Sequence, residues 1–151
     1  MNKLMYVCVL FLLLGSTGSL KAQDLPTEQL TDNIQVDLKS VRHDPKTDSL
    51  TVDLFLISYS RKPREFKLNT YASQVFDAAG KGSFYALIKM GRVQIRLEER
   101  QNYLHYLLEE EVPVSLTFKV ANWGKRKATK LLLVFEDSEE EGHFIQKEVN
   151  L

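Results

Sequence analysis

Ser49-Leu50-Thr51-Val52-Asp53-Leu54-Phe55-Leu56-Ile57-Ser58-Tyr59-Ser60 decides the fold. Successive side chains of an extended chain point to opposite faces, so Leu50, Val52, Leu54 and Leu56 share one side, with Thr51 and Asp53 on the other. From Phe55 onward the second side becomes apolar as well, through Ile57 and Tyr59. The segment therefore reads as a central β-strand, wet on one face at its start and covered on both faces toward its end.

Working outward, Ile34, Val36 and Leu38 alternate with Gln35, Asp37 and Lys39, a strand with one wet face. Asp44-Pro45-Lys46-Thr47-Asp48 is a turn, because proline presets φ and the aspartates can accept hydrogen bonds from the turn backbone. The central strand returns antiparallel from it and ends at Arg61-Lys62-Pro63-Arg64, where proline lacks the donor that a sheet interior requires. Phe66 and Leu68 open a short strand, and Tyr71 to Phe76 forms another before the hairpin turn Asp77-Ala78-Ala79-Gly80-Lys81-Gly82. Phe84 to Ile88 and Val93 to Leu97 follow as strands. Val114, Leu116, Phe118 and Val120 alternate with polar residues, Leu131 to Phe135 reads as a strand buried on both faces, and Phe144 to Val149 is the last strand.

Glu98 to Glu111 supports two readings. Glu98-Glu99-Arg100-Gln101 are good helix formers, and Tyr103, Leu104, Tyr106, Leu107 and Leu108 would make one apolar helical stripe; the alternative is a strand ending in Glu109-Glu110-Glu111. Since a two-layer sandwich buries one face of each sheet, Phe55, Ile57 and Tyr59 call for a cover: Glu98 to Leu108 folded over them as a helix or loop is the expected one, and pairing of an exposed face with another molecule is the alternative. A monomer is the expected state. The whole pattern, about seven to nine short strands with at most one short helix, predicts an all-β, immunoglobulin-like antiparallel β-sandwich over residues 33–151, preceded by a flexible leader over 23–32.

Residues 1–22 have the layout of a secretory signal peptide. Lys3 precedes an apolar run from Leu4 to Leu14, small residues follow from Gly15 to Ser19, and Ala22 marks the expected cut. The run is about half of the roughly 20 apolar residues that a membrane-spanning helix needs. Cys8, the only cysteine, lies within the apolar run rather than after it, which argues against lipidation and leaves a mature chain without thiol or disulfide chemistry. The 20 basic and 20 acidic side chains cancel over the full chain, and loss of Lys3 and Lys21 with the signal leaves a net charge of −2. That balance gives no general attraction to nucleic acid. The expected location is periplasmic or secreted.

The order of a first strand, a turn, a central strand ending in Ser58-Tyr59-Ser60-Arg61-Lys62-Pro63, a short strand, the run Val75-Phe76-Asp77-Ala78-Ala79-Gly80-Lys81 and the late strand Val114 to Val120 resembles a widespread family. Its members are bacterial extracytoplasmic immunoglobulin-like domains of unknown function, common in secreted proteins and lipoproteins and similar in fold to a secreted mycobacterial antigen. The signal ending Lys21-Ala22-Gln23 resembles those of the Bacteroidetes. The resemblance covers roughly Asn33 to Phe135 and implies no catalytic residues. It departs from the family at the polar turn, which lacks the usual asparagine, and at Glu98 to Glu111.

Few residues present themselves for chemistry. His43, His105 and His143 stand at no metal-ligand spacing; the first and last fall in or beside turns, and His105 is expected half-buried between Tyr103 and Tyr106. The runs Glu109 to Glu111 and Asp137 to Glu141 lack the alternating ligands and turn glycine of a calcium loop and read as solvated charge. Trp123-Gly124-Lys125-Arg126-Lys127 is the sharpest local feature. Its ring can stack on a sugar while Lys125, Arg126 and Lys127 hold sulfate, phosphate or carboxylate; the plainer reading is a hairpin tip whose tryptophan closes the core. No cofactor or metal is expected. The sequence thus points to a non-enzymatic binding module for an extracytoplasmic protein or an anionic glycan, with Trp123, Lys125, Arg126 and Lys127 as the candidate contact residues. Two other functions are weighed against it, a small hydrolase of glycans, which would show a deep pocket with two carboxylates, and a stabilising subunit of an envelope complex, which would show a flat apolar patch.

Overall fold

The computed structural model describes residues 30–151, so the expected signal peptide and most of the expected leader lie outside the described residues. The alternation around Leu50 to Leu56 and Val114 to Val120 builds the first of two antiparallel sheets. It contains β1 (Ile34–Asp44), β2 (Ser49–Ser58), β6 (Leu87–Met90), β7 (Val93–Arg96) and β9 (Val114–Ala121), in the order β1-β2-β9-β6-β7. Leu50 faces Val120, Val52 faces Phe118 and Leu54 faces Leu116, so one apolar row of β2 continues across β9. This places β2 inside its sheet, between β1 and β9, as its pattern requires.

The second sheet is organised by β10 (Ala128–Glu136), which is flanked along one side by β11 (Phe144–Asn150). Along its other side β3 (Arg64–Asn69) and β4 (Gln74–Asp77) lie end to end. Residues 70–73 bulge out between them, and there the Ser73 hydroxyl takes the place of a ladder partner by accepting from the Val134 N–H at 2.9 Å. The short β5 (Gly82–Ser83) adds to β4 and β8 (Tyr103–Leu108) to β3. Among the described residues there are eleven strands and one 3₁₀ turn, Leu97–Glu99. The strand count exceeds the seven to nine expected because Tyr103–Leu108 forms a strand rather than a helix and the crossing between sheets adds the two-residue β5.

The inner faces of both sheets form one core. Leu54, Leu56, Ile88, Leu116 and Phe118 come from the first, and Phe66, Leu68, Val75, Leu104, Leu131, Leu133 and Phe135 from the second. Phe66 and Phe135 meet with ring centroids 5.1 Å apart. At roughly 1.5–3 kcal/mol for each fully buried large apolar side chain, this shared core dominates the stabilisation of the sandwich.

Two expectations need correction. Glu98 to Leu108 does not cover the outer face of β2: after the 3₁₀ turn the chain forms β8, on the opposite sheet, with Leu104 and Leu108 inward. The strand reading wins because β8 pairs with β3 along its whole length, which satisfies its backbone as a ladder. Phe55 and Ile57 are only half-buried on the outer face. The Lys39 ammonium lies over the Phe55 ring at 4.8 Å, and the Tyr59 hydroxyl reaches back to Gln35. The second correction is His105, which is exposed and bonded to Glu65 rather than half-buried.

Candidate functional site

Antiparallel strands bring their connecting loops to the two ends of a sandwich, and three loops meet at one end here. The tip containing Trp123 is joined to the β1–β2 turn, with the Trp123 N–H donating to the Asp48 carbonyl (3.0 Å) and the Gly124 N–H to the Asp48 carboxylate (2.7 Å). It is joined to the β4–β5 turn by the Ala78 N–H, which donates to the Lys127 carbonyl at 3.0 Å.

Trp123 belongs to the core. It is 1% exposed, which agrees with the plainer sequence reading of a tryptophan that closes the core and leaves its ring no free face for a sugar. Its indole N–H donates to the Arg126 carbonyl at 2.7 Å, and the Arg126 Nε donates back to the Trp123 carbonyl at 2.7 Å. The guanidinium lies over the indole, 4.1 Å from its centroid, and reaches Asp77 at 3.3 Å and Ser83 at 3.1 Å. Arg126 is therefore a clamp that ties the tip to the neighbouring turn, a task suited to a planar guanidinium with several donors. Of the four candidate contact residues, the structure leaves Lys125 and Lys127 exposed and engages the other two.

The acids of this end are occupied in holding backbone. Asp44 accepts from the Lys46 N–H and the Thr47 hydroxyl, both at 2.9 Å. Asp77 accepts from the Ala79 and Lys81 N–H groups at 2.9 and 3.0 Å. Hydrogen bonds from the Lys81 N–H above all, then from Ala79 and Arg126, hold the Asp77 carboxyl below the usual carboxylate range against its burial. The cations are left over. Lys46, Lys81, Lys125 and Lys127 are exposed, and none has a side-chain hydrogen bond or ion pair among the described residues. Phe84, 52% exposed, follows Ser83 at the flank of this end and meets Tyr71 edge-on at 6.2 Å. Lys46, Lys81 and Phe84 escaped sequence reasoning because each lies in a different connection, and only the folded loops bring them to one end.

The other end exposes Glu109 to Glu111 and Glu139 to Glu141 beside Arg61 and Lys62. Arg64 and Asp32 form an ion pair at 2.6 Å with side chains 7% and 6% exposed. Arg64 also donates to the Asp32 carbonyl at 2.7 Å, and Asp32 accepts from the Ser138 N–H at 3.0 Å. Asp32, expected in the leader, is thus fastened to the domain. A shallow depression beside it is lined by Asp32, Asp137 and Glu139. Two of these carboxylates are already engaged, Asp32 with Arg64 and Asp137 with the Glu139 N–H at 2.9 Å and with His143. The Glu139 N–H in particular holds the Asp137 carboxyl below its usual range, the wrong direction for a general acid. Among the described residues no group of three or more histidine, cysteine or carboxylate side chains is placed to hold a metal, and no helix is long and apolar enough to cross a membrane. Comparison with family models, curated proteins and solved structures finds no match to this chain.

Proposed function

We propose that this chain is an extracytoplasmic, immunoglobulin-like binding module without enzymatic activity, and that its basic loop end docks an anionic polymer, best an acidic or sulfated glycan. The observation that carries this reading is the convergence of Lys46, Lys81, Lys125 and Lys127 from three loops, exposed and unpaired, on a pedestal fixed by Trp123, Arg126 and Asp77. A pedestal tied by backbone hydrogen bonds presents its lysines with little loop ordering left to do on binding, which lowers the entropic cost of association. Four lysines held as points of charge suit a repeating anion better than a single planar group, for which bidentate arginine is the better partner.

Binding to immobilised heparin or polygalacturonate tests it. Exposed charges are screened over about 8 Å at physiological ionic strength, so retention should be strong at low salt and fall steeply as salt rises. Replacing Lys46, Lys81, Lys125 and Lys127 together by alanine should abolish retention. Retention that survives the fourfold change, or no retention of the parent protein on either polymer at low salt, overturns the reading.

A further inference from the structure

A groove of about 370 Å³ lies between the β6–β7 hairpin and residues 112–117. Lys89, Tyr106, Ser115 and Thr117 supply its polar lining, and Val112 and Pro113 an apolar wall. Its position is set by Gly91, at φ +55°, where a Cβ would stand 2.5 Å from the Tyr106 hydroxyl oxygen. Only glycine combines that backbone with that neighbour, so the phenol seats directly on the hairpin. The Gly91 N–H donates to the Ser115 carbonyl at 3.0 Å and fixes the hairpin to β9.

Three polar groups of this groove are unused. Lys89 and Ser115 are exposed, Tyr106 is half-buried, and none of the three has a side-chain hydrogen bond or ion pair among the described residues. The Thr117 hydroxyl, by contrast, is turned to Asp53 at 2.7 Å. A concave site with an apolar wall and a few convergent polar groups is the usual form of a small-ligand site. One ammonium with two hydroxyls suits a carboxylate. The exposed Glu109, Glu110 and Glu111 lead directly into Val112 and would repel a polyanion, which limits the ligand to one negative group.

We propose that this groove binds a small monocarboxylate, its charge on Lys89 and the Tyr106 and Ser115 hydroxyls, its apolar edge on Val112 and Pro113. The site lies toward the end opposite the basic loops, since Gly91 is fixed beside Ser115 near the start of β9. It therefore stands or falls apart from polymer binding. The test is an amide-shift titration of the full mature chain with glucuronate and with isobutyrate, using glucose and isobutyramide as neutral counterparts. Both acids should shift the Gly91 and Ser115 amides, with the neutral counterparts weaker by at least about tenfold, the value of one charge-assisted hydrogen bond. Lys89→Gln should weaken both acids about tenfold or more, Tyr106→Phe by less, while Lys125→Ala with Lys127→Ala should change nothing. Because Lys89 is exposed, Lys89→Gln should keep a native amide spectrum, so its result decides even if Tyr106→Phe proves less stable. The proposal is overturned if neither acid shifts these amides, if the neutral compounds bind as well, or if Lys89→Gln binds both acids like the parent.

Discussion

The two ends of the sandwich solve the same problem with opposite charges. At the basic end Asp44, Asp48 and Asp77 cap loop backbones, and the lysines beside them are left in solvent. At the other end Arg64 is drawn inside to meet Asp32, and the exposed groups are Glu109 to Glu111 and Glu139 to Glu141 together with Arg61 and Lys62. An ion pair such as Asp77 with Arg126 or Asp32 with Arg64 cancels its own field, and the charges left over are the ones a partner meets. Composition alone, nearly balanced, conceals this polarity.

The strongest way to break the comparison is at the basic pedestal. Trp123→Ala should destabilise the domain by about 3–5 kcal/mol, the range for emptying a large buried aromatic site, read by urea denaturation. A loss below about 1 kcal/mol would show that the three loops hold one another without the indole. At the other end Asp32→Ala leaves the Arg64 guanidinium buried and unpaired, and about 3 kcal/mol should be lost, the low end of the range for breaking a buried pair. An unchanged denaturation midpoint would mean that residues 30–33 do not fasten the domain.

Acid titration sharpens the contrast. The Asp44, Asp53, Asp77, Glu136 and Asp137 carboxyls all lie below their ordinary range in the folded chain. For Asp53, burial pushes the other way and is outweighed by the Thr117 and Ser40 hydroxyls and by Arg42. A folded value below the unfolded one gives stability that is present above about pH 4 and is lost as pH falls through the folded values. The melting temperature should therefore hold near neutrality and drop in acid, and Asp77→Asn should flatten part of that drop. An identical acid slope in the variant would remove Asp77 from this account. Smallest of all, Lys125→Ala with Lys127→Ala should move stability by no more than about 0.5 kcal/mol, because both side chains stand in solvent without partners. A larger shift would mean that these lysines build the loop rather than display charge.

Much of the layering was legible in alternation. Leu50, Val52, Leu54 and Leu56 and the row Val114 to Val120 each commit one face to the core, and they pair with each other in the structure. Glu98 to Leu108 was ambiguous because five apolar residues in six positions satisfy a helical stripe as well as a strand. Its partner strand β3 decided the matter, and no local pattern carries that information. The candidate site was half legible. Trp123 and the cations beside it stand together in sequence, but burial of the indole depends on Asp48 and Arg126 closing around it. The contribution of Lys46 and Lys81 depends on loop meeting loop across long stretches of chain.

The position of β2 also governs how fast this chain can fold. Its first neighbour, β1, is reached through one short turn, but its second, β9, comes only after β3 to β8 have been made. The same holds for β10, whose tracks β3 and β4 precede it by much of the chain. Closing such large loops loses chain entropy before any contact returns it, so domains of this kind fold in milliseconds to seconds rather than microseconds. Until β9 arrives, the inner row Leu50 to Leu56 is a sticky, unpaired surface, and the time a nascent chain spends in that condition sets its exposure to misassembly.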